Sequence, residues 1–128
     1  MTRTPPQLSV AAWIRVAFYL LAGLAGAALT MRFNAQWSDQ QGGFDLANYV
    51  RAGFANSAST SFTIDLTVAA TASVVFMAVE GTRLRMRTTI PLIITTFLIA
   101  FAFAFPIFLA LREVRLARVT EAPEPERA

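Results

Sequence analysis

Residues 88–111 read TTIPLIITTFLIAFAFAFPIFLAL, 24 positions without a charge. A helix that crosses a bilayer needs about 20 mostly apolar residues. Two further uncharged runs precede it. Residues 16–31 (VAFYLLAGLAGAALTM) give 16, reaching back to Val10 if Arg15 is tolerated, and residues 66–79 (LTVAATASVVFMAV) give 14. No water is present in a bilayer to satisfy backbone N–H and C=O groups, so segments this few can cross only as helices. The expectation is an all-α membrane protein. It has three transmembrane helices, at about 10–31, 62–80 and 90–111, and a short interfacial helix between the first two.

The composition agrees. The chain has 128 residues, enough for one domain, and 55% of them are apolar. Residues 10–119 form the membrane domain. Residues 1–9 are a polar lead in which Pro5 and Pro6 oppose helix. Residues 120–128, with Pro123 and Pro125 among three glutamates, read as a disordered acidic tail. A cleavable signal peptide is the rival reading of the first run, which has a basic lead and small residues at 26–28. The run is long for a signal core, and two more follow.

The absences narrow the chemistry. Cysteine and histidine are missing, which removes thiol nucleophiles, disulfides and the commonest metal ligand and general base. No metal or other cofactor is expected. Lysine is missing too, so Schiff-base chemistry is excluded and all 11 basic residues are arginine. The arginines sit at the ends of the runs, where they flank membranes. The net charge of +3 is therefore no sign of nucleic acid.

Between the first two runs, residues 32–58 read as a loop of mixed polarity. Gly42-Gly43 breaks it, and Asp45 can cap a short helix to about Ala55. Leu46, Tyr49, Val50 and Phe54 share one face of that helix. It is too short to span and suits the interface, where Trp37 and Tyr49 also prefer to sit. Ser59 or Ser61 can cap the second span, and Gly81 follows its end. Pro91 falls in the first turn of the third span, where proline is tolerated. Pro106 should bend its far end. Residues 112–119 continue as a basic helix. Arg3 and Arg15 against Arg32, and Arg83, Arg85 and Arg87 against Arg51, put the N-terminus and the second turn in the cytoplasm. Three spans then place the carboxyl tail outside, although its own arginines oppose that.

Ionisable groups within apolar runs are costly and often functional. Arg15, Asp65 and Glu80 are the candidates. Arg15, Tyr19, Ala22, Gly23, Gly26 and Thr30 share a stripe of span one, and Asp65, Ala69, Ala72, Ser73, Phe76 and Glu80 share one of span two. Charges beside small residues mark a protein-facing surface in lipid, and the Ala22, Gly26, Thr30 ladder permits close approach. If the first two spans are antiparallel neighbours, Arg15 pairs with Glu80. That pair either locks helix register or frames a polar pocket. Asp65 lies in the first turn if Ser61 caps the helix, favoured there by the helix dipole. If the helix starts earlier, Asp65 is about two turns deep and protonated, and a neutral carboxyl is a competent general acid. Asn56, Thr60 and Thr63 are near enough to orient it, and Arg32 is its nearest charge partner. Phe97, Phe101, Phe105 and Phe108 form a stripe on span three. It faces lipid, packs on a neighbour, or lines a groove for a lipid-like ligand.

Several short motifs carry a family resemblance. They are Met31-Arg32-Phe33, Gly43-Phe44-Asp45-Leu46, Phe54-Ala55-Asn56-Ser57, Asp65-Leu66, Glu80 with its arginines, Pro106-Ile107-Phe108-Leu109 and Arg112. Together they resemble the small bacterial three-span family known as domain of unknown function 2834, over about residues 13–115. The resemblance implies a multi-pass protein of the bacterial inner membrane without an established activity. Members have been labelled terpene-cyclase-like, and carotenoid and terpenoid cyclases use intramembrane acids. That would give Asp65 and Glu80 the acid role, with Arg15, Tyr19, Arg32, Asn56, Phe101 and Phe105 as the binding residues. The chain departs from such enzymes in having no tandem acidic pair and few spans to enclose a pocket. Two functions result. One is a non-catalytic scaffold, accessory subunit or oligomerising protein, partnered by the bilayer and by its own copies or a larger membrane complex. The other is an isoprenoid cyclase acting by protonation.

Overall fold

The computed structural model describes residues 8–120, and every element in them is helical. The elements are α1 (Val10–Gln41), α2 (Leu46–Gly53), α3 (Ser57–Arg83), α4 (Thr89–Leu98) and α5 (Phe101–Thr120). Arg3 and the prolines of the lead and the tail lie outside the described residues. Two helices, α1 and α3, are long and apolar enough to cross a membrane.

Local chemistry explains most of the boundaries. Ser9 caps α1, its hydroxyl accepting from the Ala12 N–H at 3.2 Å. The helix then runs ten residues past the expected end of span one and stops only at Gly42. That glycine takes a left-handed conformation (φ 74°), and Gly43 N–H returns to the Ser38 carbonyl. Residues 32–41 are therefore helix rather than loop, because nothing before Gly42 can end the hydrogen-bond ladder. Asp45 caps α2 as expected, accepting from Ala47 and Asn48 N–H. Asn56 caps α3, and Ser59 completes a reciprocal capping box as its third residue. At the far end, Arg85 adopts a left-handed φ of 52°. Met86 N–H reaches the Gly81 carbonyl at 2.8 Å and Arg85 N–H reaches that of Thr82. This closes a Schellman turn with arginine at the position glycine prefers.

The third apolar run does not continue as one helix. It breaks at residues 99–100, between α4 and α5. Thr89, at the start of α4, packs so closely on Gly81 that a Cβ there would collide with its hydroxyl. Arg112, far along α5, bonds Glu80, the residue next to Gly81. The start of α4 and the middle of α5 are thus at one end of the molecule. The run goes out over α4, about 15 Å at 1.5 Å per residue, and returns over the first half of α5. No glycine or proline marks this turn. Joint burial accounts for it: Leu92 of α4 and Phe108 of α5 close on Met77 of α3, with Met77 and Phe108 fully buried.

Helix α1 packs along α5, antiparallel to it, and not on α3. Gly23 lies against Phe103 and Ile107, and Gly26 against Ala102. The small-residue stripe of the first run is therefore a packing face, but its partner is α5. The corresponding stripe of α3 is only partly so. Glu80 is buried, Ser73 is half-buried and Phe76 meets Phe105 and Phe108 edge-on, whereas Asp65, Ala69 and Ala72 are exposed. Val10, Ile14, Phe18 and Leu21 of α1 and Val68, Val75 and Val79 of α3 are each more than half exposed.

A Cβ at Gly26 would sit 2.7 Å from the Ala102 oxygen and 2.9 Å from its Cβ. Gly26→Val should therefore lower stability by about 1–3 kcal/mol, as overpacking does. Leu24→Val, on an exposed position of the same helix, should stay within about 0.5 kcal/mol. Thermal unfolding in detergent, followed by helical circular dichroism, measures both.

Candidate functional site

The charged groups concentrate where the open end of the hairpin meets α1 and α3. Glu80 is at the centre, with its side chain 9% exposed. Arg83, one turn on, donates to both of its oxygens at 2.7 Å. Arg112 Nε donates to Oε1, also at 2.7 Å. Every contact to the carboxylate is thus a guanidinium donor, and both oxygens act as acceptors. The Arg112 guanidinium also lies over the Phe76 ring, 5.9 Å from its centroid. Next to it, Glu113 accepts from Arg15 Nε and Nη2 at 3.1 and 2.8 Å. Arg115 Nε donates to the Leu84 carbonyl at 2.9 Å, covering the end of α3.

This differs from the expected Arg15–Glu80 pair. That pairing needs α1 beside α3, and α5 occupies the place beside α1 instead. Arg15 therefore meets Glu113, and Glu80 meets Arg83 and Arg112. Glu113 and Arg115 carry interactions the sequence reading did not assign. Glu113 is the one acid between Glu80 and Glu121, but its depth matches Arg15 only once the third run turns back.

The structure does not gather the other candidates around an acid. Because α3 starts at Ser57 and not after a Ser61 cap, Asp65 is its ninth residue, about two turns in and not in the first turn, and its side chain is exposed rather than buried. It lies 15 residues from Glu80, about 22 Å along the helix. Asn56 caps α3, and Thr63 donates to the Gly53 carbonyl, so neither orients Asp65. Arg32 is exposed beside the Phe33 ring, on a helix that does not touch α3. Tyr19 is half-buried on α1, edge-on to Phe18. Among the described residues no three acids are close enough to share a metal ion.

The phenylalanine stripe divides at the hairpin turn. Phe97 ends up exposed on α4, while Phe101 and Phe105 stack at 5.6 Å and Phe108 is in the core. Phe97 and Phe101 line a groove of about 400 Å³ with Leu66, Ala70, Val74 and Val75 of α3. Its threonines, Thr67, Thr71 and Thr96, donate to carbonyls of their own helices. The groove therefore offers an apolar wall that suits a hydrocarbon chain or another helix and holds no titratable side chain.

The Glu80 cluster yields a double-mutant test. Arg112→Met should destabilise the protein more than Arg83→Met, because Arg112 joins two helices and its side chain is 25% exposed against 62%. Combining Arg112→Met with Glu80→Met should cost less than the sum of the two, since Glu80→Met alone leaves the Arg112 guanidinium without its carboxylate and the double change does not. Detergent unfolding of the four proteins would show it, and additive losses would mean that the two are uncoupled.

No curated protein matches the chain, and no solved structure does. A family model matches residues 18–114. The matched segment holds the α1–α5 packing face, the Met77–Leu92–Phe108 core and the Glu80, Arg83, Arg112 and Glu113 part of the ion-pair cluster. The chain belongs to the family described as protein of unknown function DUF2834.

Proposed function

We propose that this protein is a non-catalytic subunit of the cytoplasmic membrane that works by assembling, with its own copies or in a larger membrane complex. The supporting observation is that its two long apolar helices do not touch each other. Each packs on the hairpin and leaves most of its apolar surface bare, and such a surface is stable against hydrocarbon or against another helix. Nothing in the acid placement favours protonation chemistry. Glu80 is saturated with guanidinium donors, and Asp65 stands apart from the aromatic groove.

In this reading α1 and α3 span, α2 lies in the interface, and the third apolar run enters and leaves at one face. A helix of ten residues, α4, reaches about 15 Å, half of a hydrocarbon core of about 30 Å. Arg15, Arg83, Arg85, Arg87, Arg112, Arg115 and Arg118 then share one side, with Arg32 and Arg51 on the other. The basic side is cytoplasmic by the positive-inside bias. The hairpin removes the conflict that three spans create, because the arginines of α5 return to the side where the N-terminus begins.

Three measurements test this. Reporter fusions before Val10 and after Thr120 should both report cytoplasm, whereas three full crossings would put them on opposite sides. Native mass spectrometry from mild detergent should find the chain above its 14.0 kDa monomer mass, alone or with other subunits. Lipid profiles of a host carrying the wild type, Asp65→Asn or no gene should be the same, and an isoprenoid product lost with Asp65→Asn would overturn the non-catalytic reading.

A further inference from the structure

We propose that copies of this chain associate head to tail, with Arg32 of one copy paired to Asp65 of the next. This rests on the assembly reading above and names its partner as a second copy. Arg32 and Asp65 are exposed charges on the two long apolar helices, and among the described residues neither has a salt bridge. Both stand near the far boundary of the bilayer, where an exposed charge on one helix is complemented by an opposite charge at the same depth on a neighbour.

Their depths match. Arg15 on α1 and Glu80 on α3 are both level with residues 112–113 of α5. From that level Arg32 is 17 residues along α1, about 25 Å, and Asp65 is 15 residues back along α3, about 22 Å. The pair cannot close within one chain, because α1 and α3 are held apart and each charge faces away. At about 100° per residue, Arg32 is on the side of α1 opposite Gly23, and Asp65 is turned about 120° from the buried Met77. Small residues flank both charges, with Ala28 one turn before Arg32 and Ala69 one turn after Asp65. These permit close helix approach. The antiparallel directions of α1 and α3 bring Ala28 level with Ala69 whenever the two charges are level. Such a contact uses different surfaces on the two copies, so it builds a ring or a row rather than a two-fold dimer.

The chain has no cysteine, so an introduced thiol is the only one present. Two differently tagged copies, one with Ala28→Cys and one with Ala69→Cys, are co-expressed and oxidised in native membranes. A disulfide joining the two tags is expected. Adding Arg32→Asp to the first copy should lower its yield by roughly tenfold. Adding Asp65→Arg to the second should then restore it, which a merely structural loss could not do. A cross-link insensitive to these charges, or one the double reversal does not rescue, overturns the pairing. No tag-to-tag cross-link from a chain that is oligomeric by native mass spectrometry overturns it and leaves assembly standing. A wild-type chain that is monomeric and bound to nothing overturns both. A chain retained by a different protein, or by anionic lipid alone, through Arg32 overturns the self-pairing.

Discussion

Gly26 of α1 lies in contact with the carbonyl of Ala102 at the start of α5. Pro106 has no N–H, so it cannot make the helical bond to that carbonyl. The contact is possible because one partner lacks a side chain and the other has a bare backbone oxygen. It holds the first apolar helix against the returning arm of the hairpin. The hairpin in turn carries the core, since Leu92 and Phe108 reach Met77 together only when the third run folds back.

The polar end of the molecule follows from that packing. Once α5 returns, Arg112, Glu113 and Arg115 arrive beside the start of α1 and the end of α3. Glu113 takes Arg15, Arg112 joins Arg83 on Glu80, and Arg115 binds the carbonyl of Leu84, which caps the end of α3. Three helices are thereby tied at one end by charge-assisted hydrogen bonds, which are directional and so set register as well as proximity. A carboxylate held in this way has both oxygens committed to accepting.

Away from this end the helices are spare in their contacts. Threonines along α3 and α4 turn their hydroxyls onto carbonyls of their own helices, as Thr67, Thr71, Thr95 and Thr96 do. Such back-bonding satisfies the hydroxyl without a neighbouring helix. The polar content of the apolar runs is therefore compatible with an open arrangement in which large aliphatic side chains point outward. Asp65 and Arg32, which border the apolar runs, have no salt bridge within the described residues.

Local rules and composition were enough to determine the helical class, the two long apolar helices, the Asp45 cap with the short helix after it, and the small-residue face of α1. Each depends on residues within a turn or two of one another, or on run length alone. The extension of α1 to Gln41 was legible in principle, because Gly42 is the first residue that ends its ladder. Only the tertiary structure decided which helix that small-residue face would meet, and that residues 88–111 form two helices instead of one. No glycine or proline stands at residues 99–100, so the turn is imposed by joint burial of residues far apart in the chain. The ion pairs follow the same logic. Opposite charges pair according to which helices are adjacent, and adjacency is a property of packing that no local pattern encodes.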